Sequence, residues 1–145
     1  MIEVTPLLPG DRARWTELWR AYLQFYRTEL PGAIYDQTWT RLLESKDLHG
    51  LAARDGDSIV GLVHFLFHPS AWTLTPVCYL QDLFTDPARR NQGAARALIA
   101  AVADRARAGG STRLYWLTQS DNATARALYD KVAKHSGFIR YEYAL

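Results

Sequence analysis

Asp86-Pro87-Ala88-Arg89-Arg90-Asn91-Gln92-Gly93-Ala94-Ala95 lies between an apolar, strand-like segment and an alanine-rich, helix-like one. This is the sequence form of a backbone cradle for phosphate. Arg90 brings positive charge, and Gly93 and Ala95 leave room for a ligand to approach the main chain. The first N–H groups of a helix have no intrahelical partner and point at an anion placed there. Upstream, Val77 to Thr85 reads as a largely buried strand, which Asp86-Pro87 ends with a turn. Downstream, Leu98, Ile99, Val102 and Ala106 recur with helical spacing, and Gly109-Gly110 closes that helix. The two standard phosphate loops, G-x-x-x-x-G-K-[ST] and G-x-G-x-x-G, are both missing. Taken alone, the loop also fits a helix that opens on glycine merely to pack closely against a strand.

The C-terminal third adds context. Arg113 to Thr118 reads as a strand. Asp121 or Asn122 then caps a helix that runs to about Lys134. Asn122, Ala125 and Tyr129 stand at i, i+3 and i+7 and share one helical face. Leu128 and Val132 supply part of its buried stripe. Gly137 to Tyr143 alternates as a final strand. These residues resemble the GNAT superfamily of N-acetyltransferases. Arg90-x-x-Gly93-x-Ala95 is similar to its acetyl-CoA pyrophosphate loop. Asn122, Ala125, Tyr129 and Gly137-Phe138 are similar to its second motif. Tyr79-Leu80-Gln81-Asp82-Leu83-Phe84 resembles a strand of the spermidine/spermine acetyltransferases. Tyr115 to Thr118 and Leu128 to Ala133 resemble the fungal histone and polyamine acetyltransferases. Two departures stand out: Ala95 replaces the commoner second glycine, and Gln81 stands where the polyamine enzymes carry a carboxylate.

The N-terminal half reads as a strand at Ile2 to Thr5 and a helix from Asp11 with Trp15, Leu18, Trp19, Tyr22 and Tyr26 on one stripe. A break follows at Leu30-Pro31-Gly32, then a weaker helix around Gln37 to Leu43. A hairpin of Gly50–Arg54 and Ser58–Phe67 turns at Asp55-Gly56-Asp57. The order is that of an α/β chain, and the resemblance implies the GNAT acyltransferase fold: a mixed central sheet with helices on both faces, in one domain spanning 1–145. With 145 residues and 48% apolar content, the chain can bury a sizeable core. A net charge of +2 and a pI of 8.8 point to no polyanion, so nucleic acid is not an expected partner. The single cysteine, Cys78, excludes an intramolecular disulfide and reads as a core thiol. No membrane-length apolar run or secretory signal is evident, so a cytoplasmic location is expected.

The resemblance implies acetyl-CoA as co-substrate and an amine as acceptor, with no metal. It places pantetheine against the backbone of Leu83, Phe84 and Thr85, with an oxyanion donor near Leu83. The pyrophosphate falls on Arg90, Asn91, Gln92, Gly93, Ala94 and Ala95. Asn122 is a plain helix cap, or a cap that also touches the pantetheine arm. Tyr129 is the candidate general acid, because a phenol's ordinary pKa near ~10 suits proton transfer to a leaving thiolate; the other reading is an aromatic that packs its helix on the sheet. Gln81 cannot take a proton but can hold water or the acceptor. Asp82 is a candidate base, directly or through water, or else a buried, hydrogen-bonded carboxylate on the opposite strand face. His64 and Glu142 have no positional support as bases. The break between the first two helices offers Tyr26, Glu29 and Asp36 as substrate-binding groups for a cationic amine, with Tyr22, Tyr35 and Trp72 as neighbours. Expected acceptors are a polyamine, a small amino compound or a lysine-bearing peptide. A homodimer is compatible with these readings. The reading from another class is a catalytically silent acyl-CoA sensor.

Overall fold

The computed structural model describes residues 1–145. The chain runs β1 (Ile2–Pro6), α1 (Arg12–Phe25), α2 (Gly32–Glu44), β2 (His49–Asp55), β3 (Ser58–His68), β4 (Val77–Thr85), α3 (Ala94–Ala108), β5 (Leu114–Tyr115) and α4 (Ala123–Val132). The five strands form one sheet in sequence order. The first four pair antiparallel, and β5 joins parallel to β4 after the α3 crossover. This mixed sheet with helices on both faces matches the expected architecture.

Burial explains why each face holds. One core joins Leu98, Ile99, Val102 and Ala106 of α3 to Val63, Phe65, Cys78 and Leu80 of the sheet. The other joins Trp15, Leu18, Trp19 and Leu23 of α1 and Trp39 and Leu42 of α2 to Leu62 and Phe84. The α1 stripe therefore lies where its spacing predicts for Trp15, Leu18, Trp19 and Tyr22, while Tyr26 stands just past the end of the helix. The hairpin strands end at Asp55 and restart at Ser58, and Gly56 takes a φ of 59° in the turn, a conformation glycine adopts without Cβ strain. The helix expected around Gln37 to Leu43 is longer, because it begins directly after Pro31 and ends where Ser45 turns left-handed.

A β-bulge shapes the centre of β4. The pairing steps from His64↔Asp82 to Phe65↔Leu80, so Gln81 is the extra residue. A bulge re-aims the side chains that follow it. Cys78 and Leu80 accordingly join the α3 core, whereas Phe84 joins the α1–α2 core.

The C-terminal third departs from expectation in three places. The strand predicted over Arg113–Thr118 pairs only at Leu114 and Tyr115. The following helix ends at Val132, short of Lys134. The final strand predicted over Gly137–Tyr143 is not in the sheet at all. Alternation still separates Ile139, Tyr141 and Tyr143 from Arg140 and Glu142, which form an ion pair at 2.9 Å. With β5 only two residues long, the sheet offers this segment little edge, and its apolar side stays open at 75%, 87% and 90% exposure.

Candidate active site

The site forms where β4 and β5 part. Their pairing stops at Tyr79↔Tyr115, while β4 runs on to Thr85 with no strand on that edge. An antiparallel neighbour satisfies alternate backbone groups only, so this free edge of β4 keeps unpaired N–H and C=O groups for an extended ligand. Leu83, Phe84 and Thr85 lie on it. The Phe84 side chain is itself buried against Tyr22, with ring centroids 6.2 Å apart, so only its backbone is available.

The loop after β4 has the properties of an anion cradle. Asp86 caps a 3-10 turn at Pro87–Arg89 by accepting the Ala88 N–H at 3.0 Å. Asn91 and Gly93 then take positive φ, 62° and 87°, and Gly93 is the N-cap of α3. A Cβ at Gly93 would meet no atom within 4 Å, so conformation and not space selects glycine there. The first intrahelical bond runs from Ala97 N–H to the Gly93 carbonyl. The preceding amides of α3 are left facing outward. Arg90 and Arg96 are exposed and make no ion pair, whereas Arg89 is bound to Asp55. The residues present therefore fit a diphosphate: free amides, a left-handed glycine and two uncommitted cations.

Tyr22, Tyr26, Leu80, Gln81, Leu83, Trp116, Leu117 and Tyr129 line a narrow cleft at the parting of the strands. Four of these are groups the sequence singled out for chemistry or binding: Tyr129, Gln81, Tyr26 and Leu83. Tyr129 stands edge-on to Trp116, with centroids 5.4 Å apart. Burial, with a smaller contribution from Tyr26, pushes its phenol up to about 12. It therefore keeps its proton through the ordinary phenol range near ~10. The pH profile of kcat/KM should accordingly rise from neutral to alkaline pH as the amine deprotonates, and show no fall near the ordinary phenol value. An alkaline limb centred there, in a protein shown to remain folded, would remove Tyr129 from the role of proton donor.

Asp82 is half-buried beside the cleft. It accepts from His64 Nδ1 at 2.8 Å and from Trp19 Nε1 at 3.3 Å. Trp15 Nε1 donates to His64 Nε2 at 2.9 Å. An indole N–H can only donate, so His64 Nε2 is bare and its proton sits on Nδ1, directed at Asp82. Burial pushes the Asp82 carboxyl up, but hydrogen bonds from His64, Tyr22 and Trp19 outweigh it and hold the carboxyl below its ordinary value. Asp82 thus has the hydrogen bonds of the second reading. His64, set aside for want of positional support, is 1% exposed and directly opposite Asp82 in the β3–β4 ladder.

The structure does not assemble Tyr26, Glu29 and Asp36. Asp36 is bound to Arg12 at the start of α1, and Tyr26 follows the end of the same helix, about 20 Å away at 1.5 Å per residue. Glu29 is exposed and makes no ion pair. A break in the sequence does not by itself bring its flanking residues together in space. Tyr35 packs against Trp15 and Trp19, and Trp72 sits under Arg113, 5.3 Å from its ring centre. Neither lines the cleft. Asn122 accepts the Ala125 N–H at 3.4 Å and donates to Thr118 at 3.2 Å, the bonding of a helix cap. Glu142 lies on the open tail.

A larger hollow of about 440 Å³ lies elsewhere, between the α1 entry and the β2–β3 turn. Two ion pairs sit in it, Arg14 with Asp86 and Arg54 with Asp11, each at 2.6 Å, and Asp57 also lines it.

A bulged strand, a parted parallel neighbour and an anion loop at a helix start together define an acyl-CoA-type transferase fold. The acetyltransferase (GNAT) family model matches residues 13–133, and the chain belongs to that family. It is an N-acetyltransferase by class. The D-amino-acid N-acetyltransferase HPA3 of Saccharomyces cerevisiae is 34% identical over 145 residues, covering 97% of this chain and 89% of that protein. The thialysine N-epsilon-acetyltransferase of Caenorhabditis elegans is 36% identical over 90 residues, 62% of this chain and 56% of that protein. The solved structure of AAC(6')-Iy in complex with the bisubstrate analogue CoA-S-monomethyl-acetylneamine shares the fold. Its TM-score is 0.87 at 15% identity, over 100% of this chain and 99% of that one.

Proposed function

We propose that this chain is a single-domain, cytoplasmic enzyme that binds acetyl-CoA and passes its acetyl group directly to a small cationic primary amine. The observation that carries this reading is the union of the α3 cradle with a cleft holding Tyr129 beside the free edge of β4. The cradle holds the diphosphate and the β4 edge orients pantetheine. The reacting ammonium first gives one proton to water, and the neutral nitrogen then attacks the thioester carbon: the C–N bond forms and the carbonyl electron pair moves to oxygen, facing a β4 amide near Leu83. The C–S bond then breaks, and the thiolate takes the Tyr129 proton. Water removes the surplus proton from nitrogen and returns one to Tyr129. Direct attack is favoured because the only cysteine, Cys78, is buried, and burial pushes its thiol up to about 11, conditions that suppress the thiolate a covalent route needs.

Thialysine, D-amino acids and polyamines are the acceptors to examine first, the first two because the relatives above are named for them. The silent-sensor alternative is disfavoured by the retained Tyr129 in the cleft. The decisive assay follows thiol release from acetyl-CoA across this amine panel. Saturable, amine-dependent release supports the reading, and coenzyme binding without release for every amine would favour the sensor.

The same reading includes a homodimer. Ile139, Tyr141 and Tyr143 form one open apolar side of the tail, and a second copy would cover it. Light scattering should report a dimer for the full chain and a monomer once residues 137–145 are removed. A monomeric full chain at micromolar concentration would contradict the assembly without touching the chemistry.

A further inference from the structure

The anion cradle is held from behind. Its loop backs onto the large hollow between the α1 entry and the β2–β3 turn, whose wall includes Asp86, Ala88 and Arg89. Two ion pairs reach the loop from other elements. Arg14, in the first turn of α1, donates to Asp86 Oδ2 at 2.6 Å, and its Nε donates to the Ile59 carbonyl of β3 at 3.1 Å. The other Asp86 oxygen accepts the Ala88 N–H at 3.0 Å. The Asp86 N–H donates to the Val60 carbonyl at 2.8 Å. One carboxylate thus caps the turn that opens the loop and ties that turn to α1 and, through the Arg14 fork, to β3. Beyond the turn, Arg89 is bound to Asp55 at the end of β2. Its Nε donates to Gln92 Oε1 at 3.3 Å, one residue before Gly93.

We propose that Arg14, acting through Asp86, and Asp55, acting through Arg89, are positioning residues for the coenzyme: they preset the loop so that its amides converge on the diphosphate before it arrives. This rests on the acetyltransferase reading and deepens it. The loop needs such a setting because Asn91 and Gly93 both stand at positive φ, a region only glycine visits freely. A loop free to leave that conformation would have to be reordered at each binding event, which lowers affinity. Neither Arg14 nor Asp55 has to touch the ligand. The hollow also contains its own control. Arg54 pairs with Asp11 at the same 2.6 Å, but the other bonds of that pair run to Thr5 and Leu8, away from the loop. Charge and placement predict different signs. Removing Arg14 takes a positive charge from the neighbourhood of the anion, and neutralising Asp86 takes a negative one. Acting by their field alone, the first change would weaken CoA binding and the second would strengthen it. Acting as two halves of one brace, both weaken it.

The test is a calorimetric titration of each variant with CoA, which reads the seat without turnover. Arg14→Met, Asp86→Asn and Asp55→Asn should each raise the CoA dissociation constant by about 5- to 20-fold, the range for one half-exposed bond between charged groups. The Arg14→Met/Asp86→Asn double variant should be no worse than either single one, since both break the same contact. In turnover, the acetyl-CoA KM should rise to the same degree. The amine KM at saturating acetyl-CoA, and kcat, should stay within about twofold. Arg54→Met should lower the melting temperature and leave the CoA constant within about twofold. If Arg14→Met does not fold, Asp86→Asn decides, because its amide oxygen keeps the Ala88 cap. An unchanged or tighter CoA constant in Asp86→Asn or Asp55→Asn, or an equal loss in Arg54→Met, overturns the assignment while the acetyltransferase reading stands. A wild-type protein that binds no CoA overturns that reading, and this inference with it.

Discussion

Gly93→Glu should abolish coenzyme binding while leaving the protein folded. The wild-type chain, with acetyl-CoA at a hundredfold excess over its dissociation constant, should gain about 2.7 kcal/mol of stability and melt correspondingly higher. The variant should show no such shift. Two effects act together. Gly93 holds a φ of 87° as the N-cap of α3, where an L side chain costs about 1–2 kcal/mol. The new carboxylate also stands where the diphosphate charge must sit, against the same helix amides. The surrounding space is open, so the fold survives and the binding loss is interpretable. Gly93→Asn is the discriminating partner, because asparagine tolerates left-handed backbone and brings no charge. It should retain most of the shift. Equal loss in both variants would mean that side-chain bulk in the ligand's space, and not repulsion of an anion, governs the loop.

Tyr129→Phe should lower kcat by about 10²–10⁴-fold, the usual worth of a positioned proton donor, with acetyl-CoA affinity nearly unchanged. Only the hydroxyl is removed, and the edge-on contact with Trp116 remains. The loss should be greatest for thioesters, whose leaving group needs the proton, and smaller for an acyl donor with a better leaving group. Unchanged turnover, with chemistry shown to be rate-limiting, would return Tyr129 to a packing role.

The parts of this site that sequence reveals are the local ones. Gly93, Arg90 and the α3 stripe sit within one strand–loop–helix unit, and their spacing carries their geometry. Tyr129 is legible for the same reason, seven residues beyond its cap. The buried network beside the cleft depends on pairings far apart in the chain. Asp82 meets His64 across the β3–β4 ladder and Trp19 across 63 residues. The signal was present in part: a histidine and an aspartate on adjacent strands of a hairpin-linked pair can be opposed by counting register. The count fails at Gln81, because a bulge leaves no mark in the pattern of this strand. Asp36 misled for the converse reason. It is close to Tyr26 in sequence, yet the turn between α1 and α2 sends it back along the helix to Arg12. The tail shows a third limit. Its alternation is that of a strand, but a strand also needs an edge, and the two residues of β5 give it almost none.

The most direct test of direct acetyl transfer is to follow the acetyl group itself. The protein is mixed with acetyl-CoA, first alone and then with the best amine of the panel, and the intact masses of protein and amine are recorded alongside thiol release. The protein mass should stay unchanged in both mixtures, and acetylated amine should appear one-for-one with free CoA thiol only when the amine is present. An acetylated protein that passes its acetyl group on to the amine, or thiol release with no acetylated amine, would contradict the account.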